Sequence, residues 1–216
     1  FPLGKKMMRL TSASQVCLDM GNQKKTRAKR YMASQLVSPF VEALFANSPV
    51  YSNKVSQYHS YRSFIWNNMD SSRSGFPLFS EVPKDVSFEL CLNAYLRFFL
   101  HSYVICIEAK DQRIYPKNLR FKDWVIHGYH GIYPSFSDLQ MQAKLFFPKV
   151  KVKKYLEMRC PDSQFRPWQL LPTMVFAGLI YNSKNIDFIL DNYLHLSTNL
   201  SDLSLKAQYG LKDKFV

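Results

Sequence analysis

Glycine is scarce in this chain, with seven among 216 residues, and they form neither GxGxxG nor GxxxxGK[ST]. That excludes the dinucleotide-binding turn and the P-loop, the glycine-rich loops that cradle phosphates with backbone N–H groups. A nucleotide bound here would have to be held by metal, arginine and sheet-face contacts. No GxSxG elbow and no HExxH pair occurs, so the corresponding hydrolase and zinc-peptidase chemistries have no support. Four cysteines, Cys17, Cys91, Cys106 and Cys160, are widely spaced without a CxxC pair. Free thiols in a reducing compartment fit that spacing better than a disulfide framework or a zinc cluster. No long apolar run is present either. The most apolar window, 86–107, is interrupted by Glu89, Arg97 and His101 and reads as a helix plus a strand, not a membrane span. Lys5-Lys6 is not followed by the apolar segment of a signal peptide. Repeats, low-complexity tracts and linkers are also missing.

Acidic residues are in short supply: 16 against 29 basic ones, a net charge of +13. Such a field favours anions without choosing among nucleic acid, acidic lipid, nucleotide phosphate and carboxylate substrates. Hydrophobic residues make up 47% and aromatics 15%, enough apolar surface to offset the entropy of ordering a globular chain. The length suits one sizeable core or two small ones. Residues 1–216 read as a single domain, an incomplete portion of a larger one, because Phe1 stands directly ahead of a strand pattern.

Periodicity supplies the elements. Residues 8–19 alternate as a strand would, with Arg9, Thr11, Ala13, Gln15, Cys17 and Asp19 on one face. Residues 24–46 read as a helix kinked or broken at Pro39, with a basic front of Lys24, Lys25, Arg27, Lys29 and Arg30. From Asn47 to Pro83 the chain reads as a long polar loop, uncommon unless it has a job. Within it Arg62 and Arg73 stand among small residues, a setting that suits either anion binding through a guanidinium fork or bracing of the loop through its carbonyls. Helices follow at 85–99, 121–126 and from Ser135 or Ser137 to Pro148, with a strand at 102–109 pairing 113–115 across Lys110-Asp111-Gln112. His127 and His130 sit among glycines without a third ligand and read as loop, not as a metal pair. Residues 168–181 read as a buried helix, and 186–194 and 203–211 as short ones.

The stretch 150–159 is the most informative. Val150, Val152, Leu156 and Met158 share one face, and Lys151, Lys153, Tyr155, Glu157 and Arg159 the other. Lys154 falls on the apolar side, which marks a strand end or a bulge before the regular 155–159 portion. A carboxylate two residues from a guanidinium suits a surface ion pair, or a divalent cation and a phosphate held side by side.

Motif order adds a resemblance. Met7-Met8 through Thr11, Gln15-Val16 and Leu18-Asp19 are followed by Ala43-Leu44-Phe45-Ala46-Asn47-Ser48-Pro49. Then come Tyr61-Arg62-Ser63, Ile65-Trp66, Asp70, Arg73 and Gly75, and Phe147-Pro148 leads into Lys154-Tyr155-Leu156-Glu157-Met158-Arg159. Asp162, Trp168, Leu171-Pro172 and Gly178-Leu179-Ile180-Tyr181 close the series. In this order they resemble the plant and proteobacterial type of glutamate-cysteine ligase, of the carboxylate-amine ligase group. The resemblance implies an α+β fold, part of a glutamine-synthetase-like antiparallel sheet with helices packed on one face. It implies that ATP phosphorylates the side-chain carboxylate of glutamate and that the cysteine amine attacks the γ-glutamyl phosphate, with Mg²⁺ as cofactor. Carried over by position, Arg159 and Arg73 would be catalytic, with Arg159 on phosphate. Thr11, Gln15 and Arg62 would bind substrate, and Glu157 would ligate Mg²⁺.

The match has departures. Ala13 and Cys17 stand where the family's strand face carries polar groups, Phe64 replaces a His, Cys160-Pro161 replaces Gly-Ala, and Gln169-Leu170 replace arginines. The family's paired metal-binding glutamates and much of its sheet lie upstream of the matched region. The expectation is therefore a piece with little ligase activity alone, in the cytosol or, in a plant, the plastid, with a missing N-terminal half as a further partner. A rival reading is a non-catalytic anion- or nucleic-acid-binding module using 24–30 and 149–154.

Overall fold

A computed structural model describes residues 3–109 and 112–212. Its organising element is the longest helix, α2, whose inner side carries Ala28, Tyr31, Met32, Leu36, Val37 and Val41, all buried. Before it come a short helix α1, Gly4–Leu10, and a strand β1, Val16–Asp19; α2 itself spans Lys24–Leu44. The helix runs through Pro39 without a break. Proline has no N–H to give the Gln35 carbonyl one turn earlier, but tertiary packing against other helices outweighs one lost helical bond. The expected strand over 8–19 is correct only for its second part. Met8 and Leu10 are exposed on a helix that buries nothing, so their alternation never met a packing partner.

The long polar segment after α2 is not a plain loop. It holds a hairpin, β2 (Val50–Tyr51) with β3 (Lys54–Val55), and two short helices, α3 (Tyr61–Asn67) and α4 (Ser71–Ser74). Ser60 caps α3 by accepting from the Ser63 N–H at 3.0 Å, and Asp70 caps α4 by accepting from the Ser72 N–H at 3.0 Å; such side chains satisfy donors that lack helical partners. The chain continues through α5 (Phe88–His101), the pair β4 (Ile107–Ala109) and β5 (Gln112–Ile114), α6 (Phe121–His127) and α7 (Phe136–Lys144). Two residues of the turn expected between β4 and β5, Lys110 and Asp111, lie outside the described residues. A Ser135–Asp138 capping box starts α7.

Residues 150–159 form two strands, not one. β6 is Val150–Val152 and β7 is Tyr155–Met158, joined by a turn at Lys153-Lys154 and paired antiparallel. Val152 pairs with Leu156 and three residues lie between them, an odd number, so paired residues share parity and the assignment of faces survives. β1 joins on the other side, giving an antiparallel sheet in the order β1-β7-β6. Its apolar rows are Val16–Met158–Val150 and Leu18–Leu156–Val152.

These rows pack into the main core with α2, α8 (Leu171–Tyr181), α9 (Ser183–Tyr193) and α10 (Leu200–Ala207). The architecture is thus α+β, with helices covering one sheet face. α8 is only partly buried: Pro172, Phe176 and Ile180 face inward, while Met174 is 65% exposed. A second cluster gathers Val104, Ile107, Phe121 and Trp124. Phe146 stands edge-on to Tyr95, Phe98 and Phe99 at centroid distances of 5.8, 5.0 and 5.4 Å. Among the described residues no helix is long and apolar enough to cross a membrane.

Candidate functional site

With one sheet face in the core, alternation puts Cys17, Glu157 and Lys151 in a single row on the other face, and Asp19 beside Tyr155. Glu157 is the centre of that face. Its Oε2 accepts from Lys153 Nζ at 2.7 Å, its Oε1 accepts from Arg159 Nη1, and its side chain is only 5% exposed. Burial alone would raise its carboxyl, but the hydrogen bonds and charges of Lys153 and Arg159 prevail and hold it below the usual carboxylate value. Lys151, directly across from Glu157, turns away and donates to the Ala143 and Phe146 carbonyls at 2.8 and 2.7 Å. These lie at the C-terminal end of α7, where a cation is favoured. Burial, reinforced by the charges of Arg159 and Lys153, lowers the Lys151 ammonium to about 8.

Trp66 draws two of the motifs together. Its ring lies 5.8 Å from the Arg62 guanidinium and 6.0 Å from that of Arg159, which also stands 5.4 Å from the Phe147 ring. Trp66 Nε1 donates to Thr11 Oγ1 at 3.4 Å, and Thr11 donates in turn to the Met7 carbonyl at 2.6 Å. Thr11, Arg62 and the pair Glu157 and Arg159 therefore converge from three separate segments. Gln15 is exposed and makes no hydrogen bond among the described residues.

The two loop arginines act as braces. Arg62 donates from Nη1 to the Cys160 carbonyl at 2.9 Å and from Nη2 to the Arg159 carbonyl at 2.5 Å, fixing the backbone just past Glu157. Arg73, expected as a catalytic clamp, is 1% exposed, paired with Asp70 at 2.7 Å and donating to the Leu145 carbonyl at 2.6 Å and to that of Tyr103. Its guanidinium is committed to protein oxygens, and that geometry offers no clamp for a substrate. The peptide groups around it do serve the site: the Arg73 carbonyl accepts from the Phe147 N–H at 3.0 Å, and that of Gly75 from the Lys149 N–H at 3.3 Å.

Four residues have contacts that the sequence reading did not assign. Lys153 was placed on the polar face and in the rival basic surface 149–154, but given no role in a ligase site. Asp162 is buried and accepts from the Asn47 N–H at 2.9 Å, Ser48 Oγ at 2.7 Å and Ser60 Oγ at 2.9 Å, with Arg62 Nη1 3.6 Å away. Lys149 and Glu42 form a buried pair at 2.7 Å behind the sheet. No local pattern announces such pairs, whose members lie more than a hundred positions apart.

The basic front of α2 is mostly engaged within the chain. Lys29 meets Asp187 at 2.6 Å, Arg30 meets Asp19 at 3.3 Å, Lys24 meets Glu89 at 3.7 Å, and Arg27 Nε donates to the Gly21 carbonyl at 2.9 Å. Among the described residues, no group of three or more His, Cys, Asp or Glu is placed to hold a metal. Mg²⁺ demands several oxygen ligands, and the one expected from this chain, Glu157, has both oxygens on cations. The residues present do not fit a Mg²⁺ site by themselves.

Fold and site together define an α+β chain that concentrates cations around one carboxylate on the open face of a small antiparallel sheet. Comparison with known proteins gives that class a family. The model of glutamate-cysteine ligase family 2 matches residues 2–213, and the chain belongs to that family. It is 30% identical over 194 residues to the chloroplastic glutamate–cysteine ligase of Nicotiana tabacum, covering 88% of this chain and 36% of the relative. With the chloroplastic enzyme of Solanum lycopersicum the identity is 30% over 220 residues, 99% of this chain and 40% of the relative. The Arabidopsis thaliana enzyme is 29% identical over 196 residues. The chain thus spans about two fifths or less of the length of these relatives.

Proposed function

We propose that the chain forms one wall of a ligase site that joins the γ-carboxylate of L-glutamate to the amine of L-cysteine at the expense of ATP, the first step of glutathione synthesis. Family membership supports the reaction class. The observation that carries the assignment to this face is the Lys153–Glu157–Arg159 cluster, a cationic surface backed by a rigid core. In such a reaction a glutamate carboxylate oxygen bonds to the γ-phosphorus as ADP leaves. The cysteine amine then attacks the acyl carbon, phosphate departs and the amine loses a proton. The protein's task is chiefly to position the groups and to neutralise charge on the phosphoryl oxygens. Arg159 and Lys153 are suited to that task, Arg62 holds the Arg159 backbone in place, and Thr11 and Gln15 border the same face. ATP is a substrate in this reading. Mg²⁺ would need ligands beyond this chain. The chloroplastic relatives favour the plastid over the cytosol as the compartment.

The test is thermal unfolding of the chain with ATP and glutamate, since a ligand that binds only the native state raises its stability. The expected result is a rise in Tm that is absent in Arg159→Met. No rise in the wild type, or an equal rise in the variant, overturns the reading. The 216 residues alone are expected to form little or no γ-glutamylcysteine.

A further inference from the structure

We propose that Glu157 is a positioning residue and not a metal ligand: it holds Lys153 Nζ and the Arg159 guanidinium as a preformed seat for a phosphate-type oxyanion. The inference rests on the ligase reading for the identity of that anion and goes beyond it in assigning the roles of Glu157 and Lys153.

Four observations carry it. Both carboxylate oxygens of Glu157 already accept from cations, Lys153 at 2.7 Å and Arg159, so a divalent ion at either oxygen would meet two positive charges at close range. The carboxylate itself is nearly sealed, at 5% exposure, whereas Lys153 is 41% exposed and Arg159 16%. An approaching anion therefore reaches the cations before the carboxylate. Each cation keeps donors in reserve: Lys153 gives two hydrogen bonds, to Glu157 and to Tyr155 Oη at 3.3 Å, and Arg159 uses only Nη1 among the described residues. Finally, the guanidinium lies 5.4 Å from the Phe147 ring and 6.0 Å from the Trp66 ring. Long cationic side chains lose much rotamer freedom when they bind, and a carboxylate that pins both beforehand removes that cost from the binding step.

The seat is tested with inorganic pyrophosphate, titrated calorimetrically into the whole chain without divalent cations. Lys153→Met and Arg159→Met are each expected to weaken binding at least tenfold, and Lys25→Met, an exposed cation elsewhere, to leave it unchanged. Glu157→Gln decides the positioning role by sign. Removing a negative charge beside an anion would by charge alone tighten binding, whereas loss of the pinning carboxylate weakens it. A several-fold weakening in a variant with unaltered far-UV circular dichroism supports the proposal. Tighter or unchanged binding in Glu157→Gln overturns it, as does equal weakening by Lys25→Met, the mark of non-specific attraction. In a separate arm Mg²⁺ alone is expected to give no Tm shift; a shift lost in Glu157→Gln would make Glu157 a metal ligand and also overturn the proposal. Pyrophosphate binding as expected with no ATP response would leave the seat standing and remove the ligase reading. An Arg159-dependent ATP response with tighter pyrophosphate binding in Glu157→Gln would do the reverse.

Discussion

Lys149 Nζ lies 2.7 Å from Glu42 Oε1 with the two side chains 6% and 0% exposed, joining the start of β6 to the last turns of α2. Asn67 Oδ1 accepts from the same ammonium at 2.9 Å, and Ser204 Oγ donates to the second oxygen of Glu42 at 2.7 Å. The pair thereby ties α2, α3, α10 and the sheet together beneath the candidate site. Removing one partner leaves a buried uncompensated charge, so Glu42→Ala or Lys149→Met should each cost about 3–5 kcal/mol. Urea unfolding of the single variants and of the double Glu42→Leu/Lys149→Met checks this. The double variant should be the more stable of the three, because no charge is then left unpaired.

Asp162 should be the second costly position. It accepts from Asn47, Ser48 and Ser60 and faces Arg62, so Asp162→Ala strands several buried donors at once. A loss of roughly 3 kcal/mol follows from the unsatisfied groups alone. Asp162→Asn, which keeps one acceptor oxygen, should lose less. Because Arg62 also holds the Arg159 carbonyl, pyrophosphate binding should fall in both variants even where they remain folded.

Acid should act through Glu157. Its folded carboxyl lies below its ordinary value, so the unfolded chain binds the proton first as pH falls. The stabilisation is complete above the unfolded value of about 4.5 and is lost as pH falls through the lower folded one. Stability measured from pH 6 to pH 3 should therefore drop less steeply in Glu157→Gln than in the wild type.

Base should act through Lys151 with a slope of the same sign, in a higher pH window. Its ammonium is lowered from 10.5 to about 8 by burial and by its cationic neighbours. Between those values the unfolded chain holds more protons than the native one, so stability rises with pH across this window. Lys151→Met should flatten that rise. NMR of reductively methylated lysines should show one resonance titrating near 8, absent from the variant.

Much of the site's face was legible beforehand. The alternation over 150–159 placed Glu157 and Arg159 opposite Leu156 and Met158, and the reversal between Val152 and Leu156, with three residues inside it, left that parity intact. Other alternations misled. Met8 and Leu10 match a strand by spacing, yet they lie on a helix with no buried face, where pattern has nothing to select it. α3 and α4 were too short for any period to register, although their caps, Ser60 and Asp70, are plain in the sequence. Arg62 and Arg73 looked equivalent among small residues. What separates them is which backbone each braces: Arg73 is paired with Asp70 and holds the Leu145 and Tyr103 carbonyls, whereas Arg62 is paired with Asp162 and holds the Arg159 and Cys160 carbonyls beside Glu157.

Sequence by itself determined the family, the basic excess and the two-faced character of the central hairpin, because residue order and period-2 alternation are local properties. Only the tertiary structure decided that Glu157 is held between Lys153 and Arg159, that Trp66 stands against two guanidinia, and that Asp162 and Lys149 find their partners across more than a hundred residues. The reason is physical. A charge in water is largely indifferent to its distant neighbours, but one withdrawn from water must be paired, and which partner it meets depends on how the helices and the sheet close over it.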